Sequence, residues 1–204
     1  MATIGESTRA VRMPRDERRR QLLDAAREVF VNVGFHAAAM DDIAVRAGVT
    51  KPVLYQHFPS KSELYIALLS ASAGTLVDAV AVALQSTTDN RQRVAATVAA
   101  YFDFVDDPDG AFRLVFESDL VNEPAVRERT EEVTWQCAEL LTDVIAEDAH
   151  LGRAEAHLLA VGLTGLIQVS ARTWLTSDPR IPKDVAISLT ASLAWRGIRG
   201  FPRP

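Results

Sequence analysis

The sequence predicts an all-α protein. Apolar residues recur every three or four positions along most of its 204 residues, as they do on the buried face of a helix. No stretch alternates polar and β-branched apolar residues in the way that a half-buried strand would. Glycine, proline and short polar runs divide the pattern into helical segments at about residues 16–33, 40–47, 51–58, 62–85, 91–105, 111–121, 124–149, 153–176 and 182–200.

Particular residues mark where the first helices end and begin. The first helix carries a single apolar stripe and ends at Gly34, because glycine takes the positive φ of a helix C-terminus without steric cost. Ser60 or Ser62 caps the fourth helix, which belongs to both halves of the chain. We therefore expect a flexible basic arm over residues 1–14, a helix-turn-helix domain over residues 15–62 and a larger helical domain over residues 63–204.

The composition is that of a soluble globular protein, with 48% hydrophobic and 24% charged residues. Cys137 is the single cysteine, so no intrachain disulfide can form, and we expect a reducing, cytoplasmic location. The first 20 residues lack the apolar core of a signal peptide. The longest apolar run, residues 158–169, is short for a membrane span and is interpreted as a buried helix.

The charge is distributed unevenly. Residues 1–65 carry ten Lys/Arg and eight Asp/Glu, whereas residues 66–204 carry twelve and nineteen, and together they give the net charge of −5. Six arginines, one of them Arg15, crowd residues 9–20 beside two acids. A basic end on an acidic body suits contact with DNA phosphates, although a solvated arm would carry the same charge.

Residues 41–61 have the residue types that a helix-turn-helix requires. Gly48 supplies the left-handed turn, small Ala44 lets the second helix approach closely, and Thr50 is suited to cap that helix. Leu54 and Phe58 face inward, which leaves an outer face able to contact phosphates and base edges in a major groove. The residues expected at this interface are Thr50, Lys51, Pro52, Val53, Tyr55, Gln56 and His57. A helical hairpin with a mixed polar surface is the alternative.

This segment resembles the N-terminal domain of the TetR family of regulators. The resemblance rests on Leu22-Leu23-Asp24-Ala25-Ala26 with Phe30 and Gly34-Phe35, and on Ile43-Ala44, Ala47-Gly48-Val49-Thr50, Leu54-Tyr55, His57-Phe58, Lys61 and Leu64. It implies a three-helix DNA-binding head, a helical ligand-binding body and a two-fold dimer on a palindromic operator. It also implies that Tyr55, His57 and Lys61 lie where the family approaches the phosphate backbone.

Two positions depart from the family pattern. Ala39 stands where a threonine often caps the second helix, and that cap is either supplied by Asp41 or missing. Lys51-Pro52 stands where many members have a residue followed by glycine, so the family's operator cannot be carried over.

The last two helices are apolar over most of their circumference and must be covered on more than one side. A second copy would cover them in a four-helix interface, and burial within one subunit is the alternative. The expected interface residues are Leu158, Gly162, Leu166, Val169, Leu189, Leu193 and Trp195. Two heads about 34 Å apart, one turn of DNA, would then read a palindrome.

Aromatic residues in the larger domain predict a pocket for an apolar effector, unless they form plain core. They are Phe102, Phe104, Phe112, Phe116, Trp135 and Trp174, with Leu163 and Ile167 beside them. Residues 112–119 are similar to actinobacterial family members that govern lipid metabolism, which favours a fatty acyl compound such as an acyl-CoA. A hydrophobic drug sensed by an efflux regulator is the alternative.

The sequence does not favour catalysis. No histidine pair has metal-ligand spacing on one helix face, and phosphate-binding and nucleophile-elbow motifs are absent. We therefore expect no enzyme activity, no metal, no cofactor and no membrane partner, with an all-helical enzyme or carrier as a remote alternative.

Overall fold

The computed structural model describes residues 13–108, 110–116, 120 and 123–199, without the side chains at positions 113, 115, 116, 198 and 199. The described part of the chain is built of nine helices and confirms the predicted all-α class. They are α1 (Arg15–Ala37), α2 (Met40–Arg46), α3 (Lys51–His57), α4 (Lys61–Gln85), α5 (Asn90–Val105), α6 (Ala111–Phe116), α7 (Pro124–Ala149), α8 (Arg153–Thr176) and α9 (Lys183–Arg199). Apart from Met13 and Pro14, the predicted N-terminal arm lies outside the described residues.

Local signals place most helix ends where the sequence predicts them. Gly34 has φ +76° and kinks α1, which continues for one short turn to Ala37. The Ser60 hydroxyl accepts a hydrogen bond from the Glu63 amide at 3.1 Å, so Ser60 rather than Ser62 caps α4. Helix α6 is described from Ala111 to Phe116, and most of its predicted extension to residue 121 falls outside the described residues.

The three N-terminal helices form one end of the hydrophobic core, which continues into the helices that follow. Leu22, Ala26 and Phe30 of α1 are buried, as are Ile43 of α2 and Leu54 of α3. We call α1–α3 the head, and the helices from α5 onward the body. Helix α4 packs against both, because its buried residues contact α1 on one side and α5, α6 and α7 on the other.

The body is arranged around α4. Leu68, Leu69, Leu76 and Val80 of α4 are fully buried. Helices α7 and α8 pack against each other, and α9 packs on α5 and α8. By length and apolar composition alone α4 and α8 could cross a membrane, a test that core helices of soluble proteins also pass. Helix α4 is such a core helix.

Candidate nucleic-acid interface

The turn between α2 and α3 has the predicted left-handed glycine. Gly48 has φ +65°, and a Cβ placed on it would meet no atom within 4 Å, so only the backbone conformation demands glycine here. The Gln21 side chain of α1 donates to the Ala47 carbonyl at 2.8 Å and ties the turn to the rest of the head. The orientation of α3 is therefore set by both the turn and α1.

Helix α3 buries one side and exposes the other. Leu54 and Phe58 are buried in the head, as predicted. Thr50, Lys51, Pro52, Tyr55 and Gln56 are exposed, whereas Val53 and His57 are half-buried. All seven residues expected at the interface are thus at least partly exposed; six belong to α3 and Thr50 directly precedes it.

Neither α2 nor α3 begins with a side-chain cap. Thr50 is the N-cap residue of α3, as predicted, and has the extended backbone of that position, but its side chain does not make the expected capping hydrogen bond. Ala39 occupies the N-cap position of α2 without a side-chain cap. Asp41 does not replace it; its carboxylate lies 2.8 Å from the Lys51 ammonium, and this ion pair raises the pKa of Lys51.

Arginines at the start of α1 lie close to the end of α3. The pKa of His57 is lowered first by its partial burial and then by the positive charges of Arg15, Arg19 and Arg18. The Arg19 guanidinium lies 4.4 Å above the Phe58 ring. We call Arg15, Arg18, Arg19 and His57 the basic cluster. It extends the exposed face of α3 with a patch suited to anions.

Of this cluster, Arg18 and Arg19 were not among the expected interface residues. From the sequence alone they were considered only as two of the six arginines in residues 9–20. Their spacing of three and four residues from Arg15 places all three on one side of a helix, and that signal could have grouped them.

Lys61, expected at the phosphate backbone, is engaged inside the protein. Its ammonium donates to the backbone oxygens of Phe35, His36 and Ala38 at 2.7, 3.3 and 2.9 Å. It is the first residue of α4 and lies beside the end of α1.

The outer faces of α8 and α9 carry large apolar residues. None of the seven expected dimer residues is buried; Leu189 and Leu193 are 60% and 61% exposed, and Leu158 and Val169 are also exposed. The inner faces of the same helices carry mostly small residues, namely Ala156, Ala160, Thr164, Ala171, Ala186, Thr190 and Ala194, with Ile167 and Trp174 among them. An exposed surface of large apolar side chains is typical of an interaction site.

Most of the expected ligand-binding residues lie in the core of the body. Phe102 and Trp174 are in contact, with ring centroids 5.5 Å apart, and Phe104, Phe112 and Ile167 are also buried. Leu163 is half-buried. The side chain of Phe116 is not among those described.

Trp135 does not belong to this set. It is 55% exposed, so its predicted place in an internal pocket is wrong. Helix α7 turns Val133 and Cys137 inward, and a residue two positions away from each lies on the opposite side of a helix.

The core of the body also contains polar groups. The hydroxyls of Ser72, Thr97 and Thr164, on α4, α5 and α8, have no hydrogen-bond partner in the described part of the chain, although each residue is at most 2% exposed. Buried hydroxyls in helices usually donate to a carbonyl one turn earlier, as that of Thr142 does to the Ala138 carbonyl at 2.8 Å. The three unpaired hydroxyls are polar sites in a largely apolar interior.

The chain is similar to known proteins over nearly its whole length. The profile of the family described as "Bacterial regulatory proteins, tetR family" matches residues 22–68. The chain is 50% identical over 198 residues to the HTH-type transcriptional activator FasR of Mycolicibacterium smegmatis, a match that covers 97% of this chain and 90% of that protein. It is 32% identical over 195 residues to the HTH-type transcriptional regulator BetI of Serratia proteamaculans, covering 92% and 96%.

Solved structures show the same fold. A TetR-like transcriptional regulator from Rhodococcus sp. RHA1 is similar with a TM-score of 0.71 and 28% identity, covering 93% of this chain and all of that one. The regulator FadR from Bacillus subtilis in complex with stearoyl-CoA has a TM-score of 0.71 and 19% identity, covering 86% and 96%.

Proposed function

Because the chain belongs to the TetR family of bacterial transcription regulators and is not an enzyme, we propose that it binds a palindromic operator as a homodimer whose affinity responds to a fatty acyl compound. The exposed polar face of α3 beside the basic cluster carries the DNA-binding part of this proposal. The proposal places the protein in the cytoplasm with the DNA it regulates.

The two parts of the surface have different roles on DNA. The basic cluster contacts phosphates, which fix the position of the head without reading sequence. Lys51, Gln56 and Val53 of α3 reach base edges, because lysine pairs with guanine, glutamine with adenine, and valine contacts a thymine methyl. The hydroxyls of Tyr55 and Thr50 add contacts to the phosphate backbone of the DNA. The contact of Lys51 with a base also depends on Asp41, because the Lys51 ammonium is paired with the Asp41 carboxylate. The ammonium must leave this ion pair or contact the carboxylate and the base together.

Dimerisation through α8 and α9 supplies the second head. The outward leucines and valines of these helices would be covered by the same surface of a second copy, as a two-fold interface requires. Two copies of α3 then lie about one helical turn of DNA apart, roughly 34 Å, and read the two halves of a palindrome.

The body has the composition of a site for an apolar ligand with a polar end. Phe102, Phe112 and Trp174 are packed in the core and would supply aromatic walls to a ligand that enters it, and the unpaired hydroxyls of Thr97 and Thr164 would supply hydrogen bonds to its polar group. An acyl chain joined to a thioester or carboxyl group matches both features. The similar structure of FadR from Bacillus subtilis is a complex of that protein with stearoyl-CoA.

Helix α4 is the route by which the ligand would act on DNA. It packs against α5 and α7 of the body and against α1 of the head, so a shift of α4 changes the distance between the two heads. A ligand that binds the two arrangements with unequal affinity and couples by about 1–3 kcal/mol would change operator affinity about 5- to 150-fold.

The test is a DNA-binding titration with a duplex selected from the source genome by the protein itself. Stearoyl-CoA is added in one arm, free coenzyme A in a second, and a hydrophobic cationic dye of the kind that efflux regulators sense in a third. We expect stearoyl-CoA alone to change the affinity. A response to the dye only would favour a drug sensor, and a protein that retains no duplex would refute DNA binding.

A further inference from the structure

The ammonium of Lys61 has no hydrogen left for an outside partner. A lysine ammonium has three donors, and those of Lys61 point to three backbone carbonyls, of Phe35, His36 and Ala38, at 2.7, 3.3 and 2.9 Å. The ammonium also lies 4.5 Å from the centroid of the Phe35 ring. A contact with phosphate would require at least one of these bonds to break.

The end of α1 is where such a cation is needed. The last carbonyls of a helix have no partner within the helix and carry its negative dipole end. Gly34 kinks the helix here, and of the carbonyls from Gly34 to Ala38 only that of Gly34 accepts a backbone hydrogen bond within the described part of the chain, from the Ala38 amide. Lys61 reaches these carbonyls from α4, at a distance of 23 to 26 residues along the chain.

The contact continues one turn further along α4. The Tyr65 ring packs edge-on against the rings of Phe30 and Phe35, with centroids 5.1 and 5.2 Å away. Its hydroxyl donates to the Leu114 carbonyl of α6 at 3.4 Å. In the first two turns of α4, Lys61 therefore binds the end of α1, and Tyr65 contacts both α1 and helix α6 of the body.

We infer that Lys61 is a positioning residue that locks the head onto α4, and that it supports DNA binding by holding α3 in place rather than by contacting phosphate. This inference rests on the proposed function, because it concerns how the head is presented to DNA. It differs from the role that the family resemblance implies for this lysine. Loss of the ammonium would let the head move relative to α4 while the body stays folded.

The variant Lys61→Met keeps the aliphatic stem and removes the charge and all three donors. Its matched control is Lys51→Met, which removes a lysine ammonium exposed on α3. Affinity for a duplex selected by the wild-type protein is measured over a range of salt concentrations, at a temperature where circular dichroism shows each variant fully folded. We expect Lys61→Met to lose affinity about tenfold with a salt slope parallel to the wild type, whereas a lost phosphate contact lowers the slope by about 1.

Hydrogen exchange on the free proteins is the second measurement. We expect amides of residues 35–58 to exchange faster in Lys61→Met than in the wild type, with α7 unchanged, and expect no such change in Lys51→Met. A salt slope lower by about 1 in Lys61→Met would overturn the inference, as would unchanged affinity of the folded variant or unchanged exchange in the head. A wild-type protein that retains no duplex refutes the proposed function, and the exchange data still decide whether Lys61 locks the head.

Discussion

The double substitution Leu189→Ala/Leu193→Ala should separate the dimer into folded monomers. Complete burial of a leucine side chain contributes about 1.5–3 kcal/mol, so covering the exposed 60% of each contributes about 1–2 kcal/mol. A two-fold interface uses each residue twice, which makes four contributions per dimer. Truncation to alanine, which leaves only Cβ, therefore costs on the order of 4 kcal/mol of association free energy, or roughly a thousandfold in the dissociation constant.

Sedimentation velocity over a wide range of protein concentration measures this change, and circular dichroism checks that the helices remain. Val82→Ala is the matched control, because Val82 is 68% exposed but lies on α4, away from α8 and α9. We expect the control to associate like the wild type. A double variant that dimerises as tightly as the wild type, or a control that dissociates equally, would refute an interface on α8 and α9.

Three further predictions concern the head and the buried thiol. Gly48→Val should lower the free energy of unfolding by about 1–3 kcal/mol through its positive φ, whereas helical Gly74→Ala should cost nothing; equal denaturation midpoints would contradict this. The pKa of His57 is lowered in the free protein, so the unfolded chain binds the His57 proton more readily and the folded protein should lose stability as pH falls below about 6.5. Bound DNA phosphates should raise the pKa of His57 again, which an NMR titration of the complex would show. DNA affinity should then increase with acidity in the wild type and less so in His57→Gln; parallel pH profiles would remove His57 from the interface. Burial raises the pKa of Cys137, whose thiol is hydrogen-bonded to the buried Tyr101 side chain. A thiol reagent should therefore modify Cys137 only as fast as the protein opens, and immediate labelling would contradict its burial.

Local signals in the sequence were sufficient for most of the fold. Gly34 and Gly48 mark positive-φ positions, and both lie where the chain bends. The inward pair Leu54 and Phe58 follows from helical spacing, and so does the exposed face of α3. These features depend on residues within one or two turns of each other, which is the range over which periodicity and turn chemistry act.

Tertiary contacts account for what the sequence did not predict. Lys61 binds carbonyls more than 20 residues away, and no local pattern distinguishes such a lysine from one that faces DNA. Trp135 was grouped with the aromatic core by residue type, but the packing of α7 turns it outward. Thr50 occupies the predicted N-cap position of α3 but makes no capping hydrogen bond, because a suitable residue type does not fix the side-chain direction.

Hydroxyl-radical footprinting of the complex with a selected duplex tests the central claim most directly. With two copies of α3 in successive turns of the major groove, the account predicts two protected segments about 34 Å apart, related by a two-fold axis, and loss of both in Tyr55→Ala. A single protected segment, or a footprint that Tyr55→Ala leaves intact, would contradict it.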